Sequence, residues 1–207
     1  MIAGIVLAAG ASRRLGRPKQ LLPIGGRPLL DWVLRAMREA ALGRIVLVLG
    51  HDAEVIRRAL NLGGAGVVVN ECHADGMSTS LRAGLAAMGP EVDGVIVAMG
   101  DQPFIGKDLI GALLAERVRT GLPMVAVDYG HYQGPPVYLG REVWPMAEAL
   151  RGDQGARALL KNSPNRVATV HVPDRGMALD VDTEAAYAEA LGLWNETYIK
   201  LPPDGTS

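Results

Sequence analysis

The stretch Leu7-Ala8-Ala9-Gly10-Ala11-Ser12-Arg13-Arg14-Leu15-Gly16-Arg17-Pro18-Lys19-Gln20-Leu21-Leu22 constrains this chain more than any other. Ahead of it, Ile2-Ala3-Gly4-Ile5-Val6-Leu7 is an apolar run with β-branched members, as expected of a strand covered on both faces. Behind it, Leu29, Leu30, Val33, Leu34 and Met37 recur at helical spacing. The join is therefore a long strand-to-helix loop, small residues first and then the cations Arg13, Arg14, Arg17 and Lys19. Gly10 and the small Ala8, Ala9 and Ala11 let a ligand approach main-chain N–H groups that can point at phosphate oxygens. Arg14 can grip a leaving phosphate as a fork and Lys19 as a point charge. Such a loop suits a polyphosphate, with Leu7, Ala8, Ala9, Gly10, Ser12, Arg14 and Lys19 as candidate contacts.

Two better-known loops are excluded. A P-loop needs Gly-Lys-Ser/Thr after a four-residue gap, whereas Gly16 is followed by Arg17-Pro18; a dinucleotide fingerprint needs glycine where Ser12 stands. The net charge of −1 over 207 residues gives no field for nucleic acid or an anionic membrane, so phosphate affinity has to be local. A hydrophobic content of 49% and this length suit one α/β domain with a substantial core. The single Cys72, with neither a signal peptide nor an apolar run of about 18 residues, makes the reducing cytoplasm the expected compartment.

Further apolar runs at Arg44 to Gly50, Gly66 to Asn70, Gly94 to Met99, Met124 to Val127 and Val167 to Val172 alternate with helical segments at Ala53 to Leu60, Ser78 to Met88, Leu109 to Arg119 and Glu184 to Leu193. The alternation predicts an α/β fold, a three-layer Rossmann-like arrangement on a mostly parallel central sheet, with ligand groups at the strand carboxyl ends. Gly10, Gly50, Asn70 and Asp101 fall there. Tyr129 to Tyr138 mixes aromatics with turn residues and reads as a functional loop feeding a short strand. Gly152 to Arg157 opens a helix running through Leu160, Thr183 caps the last helix, and 200–207 reads as a disordered tail. The expected organisation is one domain over 1–199, its nucleotide half ending near 105 and an acceptor half following.

Asp101 ends an apolar strand before Gln102-Pro103, a position that suits either a Mg²⁺ ligand or a turn cap. Asp180 and Asp182 share one face of an extended segment, with the same two readings. Ser78, Thr79 and Ser80 open a helix, where hydroxyls can read a base edge or simply cap. His131, Gln133 and Arg157 are candidate acceptor contacts, Arg157 through its place near a helix start. His51, His73, His131 and His171 lack metal-ligand spacing, and Met77 and Met88 read as core filling.

The Leu7 to Leu22 stretch resembles the signature of nucleotidyltransferases with a glycosyltransferase-A-like fold. Together with Gly76-Met77-Ser78-Thr79-Ser80-Leu81-Arg82-Ala83-Gly84-Leu85, Gly100-Asp101-Gln102-Pro103-Phe104 and Asp180-Val181-Asp182-Thr183, it is similar to the molybdenum cofactor cytidylyltransferase group from residue 2 to about 190. The resemblance implies transfer of CMP from CTP to a molybdopterin-type cofactor, with Mg²⁺ on Asp101 and Asp182 and handover to a recipient molybdoenzyme. It also places Ser80 near cytosine within a Ser-x-x-x-Gly-Leu pattern that includes Gly84. Relatives that transfer guanylyl groups usually carry two glycines where this chain has Ala9-Gly10, which implies CTP over GTP. Sugar-phosphate or polyol nucleotidyl transfer, guanylyl transfer to the same cofactor, and a non-catalytic carrier of the cofactor are the alternatives.

Overall fold

The computed structural model describes residues 1–173 and 175–199, so the expected tail at 200–207 lies outside the described residues. The opening run forms β1 (Ile2–Ala8), buried from its second residue onward. A short hairpin, β2 (Pro23–Ile24) and β3 (Arg27–Pro28), leads into α1 (Leu29–Glu39). There follow β4 (Ile45–Leu49), α2 (Ala53–Ala59), β5 (Gly66–Val69), α3 (Met77–Ala86) and β6 (Gly94–Met99). The second half holds α4 (Lys107–Thr120), β7 (Met124–Asp128), β8 (Gln133–Gly140), α5 (Ala156–Asn162), β9 (Val167–His171) and α6 (Glu184–Trp194).

Among the described residues, seven strands make one sheet in the order β5-β4-β1-β6-β8-β7-β9. All neighbours are parallel except β8, which runs against both β6 and β7. The sheet is mostly parallel, as the alternation of strands and helices predicts. The chain winds outward from β1 through β4 to β5, then returns to place β6 on the other side of β1. The carboxyl ends of β1 and β6 therefore flank the point where the winding reverses, the place at which open α/β sheets leave a crevice.

Alternation along each strand feeds two cores. Val6, Ala8, Leu47, Leu49, Ile96 and Ala98 face α1, α2 and α4; Ile5, Leu7, Val46, Val48, Val95 and Val97 face α3 and α5. Leu30, Leu34 and Met37 of α1 are completely buried, worth about 1.5–3 kcal/mol each for burying such side chains. A third cluster joins the hairpin to α6: Ile24, Leu29, Val181 and Trp194 pack together, with Trp32 and Trp194 at 4.3 Å between ring centroids. Gly25 carries a φ of 56°, and a Cβ there would lie 2.2 Å from Trp194. The hairpin can thus seat on α6 only with glycine at its turn.

The strand expected to be short after the Tyr129 loop is instead the eight-residue β8. Pro135 and Pro136 disguise it. They fall at a register shift where Ala126 opposes Val137 and Val127 opposes Gly134, so neither proline has to donate to the ladder.

Gly84 of α3 lies flat on β1. A Cβ there would come within 2.7 Å of Ile5 and 3.2 Å of Val48. Gly84→Val should therefore lower the stability of the fold by about 1–3 kcal/mol, read as a drop in the urea midpoint with an unchanged m-value.

Candidate active site

Gln20 shapes the loop after β1. Its side chain is buried, and its amide donates to the carbonyls of Ala8 (2.9 Å) and Gly10 (3.3 Å). These two contacts tie the end of β1 and the start of the turn to the segment that follows the loop. Ser12 takes a left-handed φ of 48°, its carbonyl accepts from the N–H groups of Leu15 and Gly16, and its hydroxyl accepts from the Lys19 N–H at 3.1 Å. Lys19 is thereby aimed back across the ends of β1 and β6.

Asp101 stands two residues beyond β6, 6% exposed. Its carbonyl accepts from the Val181 N–H at 3.0 Å, which draws 180–182 alongside it. Thr183 then caps α6 through the Ala186 N–H, so neither Asp180 nor Asp182 serves as the cap. The Lys19 ammonium lies between the two acidic segments. It donates to Asp101 Oδ2 at 2.5 Å and to Asp182 Oδ1. Burial works against its charge, but the carboxylates of Asp101 and Asp182 outweigh that, and its pKa is raised. Arg14 donates to Asp182 Oδ2 at 3.0 Å from an exposed position, a pair worth at most about 1 kcal/mol. Arg17 adds a two-point contact to Glu184, and the Tyr187 hydroxyl donates to the Pro23 carbonyl.

Asp101 Oδ1 has no hydrogen-bond partner and no exposure to solvent. A buried carboxylate oxygen left this way costs about 1–3 kcal/mol or more, which a cation bound at the carboxylate would offset. Among the described residues, no group of three or more His, Cys, Asp or Glu side chains gathers as a metal cluster. The donor set is thus the two carboxylates, which is what Mg²⁺ takes when phosphate oxygens and water complete its shell. The side chains present fit a hard divalent ion.

Asp180 meets Gln102, whose amide donates to it at 2.8 Å. Desolvation first, and then the charge of Asp101, push its pKa up to about 6.

A cavity of about 390 Å³ opens in front of these groups. Leu7, Ala8, Ala9, Gly10, Lys19 and Asp101 line one side, and Ser80 lies at its α3 wall. Tyr132, Pro135 and Arg157 line the other, with the Arg157 guanidinium stacked 4.4 Å above the Tyr132 ring. The starts of α3 and α5 are joined by the Ser78 N–H donating to the Gly152 carbonyl at 3.0 Å.

Most sequence-read residues therefore converge, but not all. Asn70 stands behind the wall, donating to Thr79 (2.8 Å) and Ser80 (2.9 Å) and so orienting the latter. Ser12 sits in the turn rather than on the cavity surface, and Gly84 packs against the sheet. His131 lies outside the cavity lining, its Nδ1 3.1 Å from the Tyr129 carbonyl, and Gln133 lines a neighbouring depression shared with Arg157 and Lys161. Gln20 and Gln102 carry no role of their own in the sequence reading, and Tyr132 enters it only as part of the Tyr129 to Tyr138 loop. A glutamine directly after the loop lysine was the one local signal for Gln20; the other two depend on long-range contacts.

This arrangement, a small-residue turn and paired carboxylates at the reversal point of a parallel sheet, defines a nucleotide-handling α/β protein. The chain belongs to the MobA-like NTP transferase domain family, whose model matches residues 4–169. It is 34% identical to the nicotine blue oxidoreductase of Paenarthrobacter nicotinovorans over 88% of this chain and 92% of that one. It is 28% identical to the purine catabolism protein PucB of Bacillus subtilis, covering 90% and 94%. Among solved structures, Rv0371c of Mycobacterium tuberculosis superposes with a TM-score of 0.81 at 33% identity, covering 92% of this chain and 97% of that one. A second structure of Rv0371c, at a TM-score of 0.78, 32% identity and coverage of 92% and 98%, is a complex with manganese. No helix among the described residues is long and apolar enough to cross a membrane.

The Asp180 carboxyl offers a direct check of the site's charge. In metal-free protein its titration, followed by carboxyl carbon NMR, should have a midpoint near 6. Asp101→Asn should lower that midpoint, because it removes a neighbouring negative charge and releases Lys19. An unmoved midpoint would separate the two carboxylates.

Proposed function

We propose that the protein transfers CMP from CTP to the phosphate of a molybdopterin-type cofactor, releasing pyrophosphate. The observation that carries the reading is the convergence of Asp101, Asp182 and Lys19 on the small-residue turn, at the mouth of a cavity with room for a nucleotide. In this reading Leu7 to Gly10, Asn70 and Ser80 belong to the nucleotide half, which ends near residue 105. Tyr132 and Arg157 belong to the acceptor half, with His131 and Gln133 at its margin.

The attacking phosphate monoester has a second pKa of about 6 and is mostly ionised at neutral pH, so no protein base is needed. What the chain supplies is position and charge. The turn aligns the triphosphate through its N–H groups, Ser80 meets the base, and Lys19 and Arg14 receive charge that builds on the leaving pyrophosphate. Asp101 and Asp182 would hold Mg²⁺, which when bound neutralises phosphate charge. Arg157, flattened on Tyr132, offers a fork for the acceptor's phosphate. The exposed Cys72 is compatible with a reducing cytoplasm.

Purified protein should release pyrophosphate from CTP when molybdopterin and Mg²⁺ are both present, and more slowly from ATP, GTP or UTP. Asp101→Asn should remove this turnover while leaving the circular dichroism spectrum intact; a native rate in that variant rejects the assignment. Release with sugar phosphates but not molybdopterin supports the sugar-phosphate reading. A redox role, which the name of the nicotine blue oxidoreductase raises, would show as turnover without any nucleoside triphosphate.

Base choice rests on Ala9, which lines the cavity. Ala9→Gly should raise the use of GTP relative to CTP by about 10- to 100-fold in kcat/KM, since one methyl-sized fit is worth about 1–3 kcal/mol.

A further inference from the structure

Lys19 has its ammonium engaged by carboxylates rather than turned toward the small-residue loop. Its ammonium is shared between Asp101 and Asp182, its side chain is only 13% exposed, and Arg14 closes the remaining Asp182 oxygen. Lys19 and Arg14 offset the charge of Asp101 and Asp182, which weakens the pull of that pair on a free divalent ion. The oxygen of Asp101 that Lys19 does not take is sealed from solvent. An ion arriving from the cavity therefore has to compete with the ammonium for both carboxylates.

We infer that Lys19 is the resting counter-cation of the Asp101–Asp182 pair, and that it must leave these carboxylates before a divalent ion can use them. This rests on the metal-dependent reading above and adds an order to it. Lys19 has a flexible four-carbon stem and three rotatable donors, so it can exchange one anionic partner for another. The triphosphate on the adjacent turn is the partner that draws it away. Nucleotide binding thereby opens the metal position, and by linkage a divalent ion in that position favours nucleotide. Without nucleotide the ammonium competes with metal for the carboxylates; with nucleotide it moves to the phosphates it is to stabilise.

The test is a Mn²⁺ titration with no nucleotide present, in which free Mn²⁺ is read by electron paramagnetic resonance. Lys19→Met should bind Mn²⁺ roughly tenfold or more tightly than the native chain, because the competing charge is gone. Lys19→Arg, which keeps the charge, should stay as weak as the native chain, and Lys19→Met combined with Asp101→Asn should lose the gain. Lys19→Gln serves in place of Lys19→Met should the latter fail to give a native circular dichroism spectrum. Equal or weaker Mn²⁺ binding by a folded Lys19→Met or Lys19→Gln variant overturns the inference. A parallel titration of the native chain with CTP separates the two levels. Mn²⁺ bound there but not tightened by loss of Lys19 removes only this inference, whereas no Mn²⁺ binding in any arm removes the metal-dependent reading with it.

Discussion

The Lys19 ammonium is the contact on which the site's assembly depends. It joins three segments far apart in the chain: the turn after β1, the residues beyond β6, and the stretch before α6. Two carboxylates brought this close repel one another, and a buried carboxylate without a partner is costly. One ammonium between them makes the arrangement tolerable. The backbone contact from Val181 to Asp101 sets the spacing, and Gln20 sets the turn from which Lys19 projects. Chemistry and fold are coupled here, because the group suited to phosphate charge also holds the unliganded site together.

The division of labour between rigid and adaptable parts follows from topology. β1 and β6 are buried on both faces in the middle of the sheet, so the backbone at residues 8–10 and 99–101 has little freedom to move. Asp182 and Arg14 are far more exposed and are held by side-chain pairs that salt and ligands can disrupt. The other wall is built from Tyr132, in the loop just before the antiparallel and irregular β8, and Arg157, in the first turn of α5. A scaffold of this kind can keep one nucleotide site while the opposite wall varies, consistent with relatives whose names denote different roles.

How much of this was legible in the sequence depended on distance along the chain. The strands and helices of the first half stood out because continuous apolar runs and helical spacing are local signals, and Asp101 was visible as the residue where one such run stops. The hairpin of β2 and β3 was invisible, being two residues on each strand. β8 was read as short because Pro135 and Pro136 carry a turn signal, and only its partner strands reveal the bulge that excuses them. The pairing of Lys19 with Asp101 and Asp182, the Gln102 contact to Asp180 and the Tyr132–Arg157 stack all join residues tens of positions apart, so no spacing rule announces them. Gly84 shows the converse: a motif glycine suggested ligand contact, while its near neighbours are Ile5 and Val48 of the core.

The lateness of Asp182 in the chain carries one more consequence. The sheet that bears the turn and Asp101 is complete by β9, yet the carboxylate that completes the Lys19 bridge comes with the segment leading into α6, seated on Trp32 through Trp194. The ion bridge at the head of the sheet therefore depends on how α6 is seated, although Trp32 and Trp194 lie outside the cavity lining.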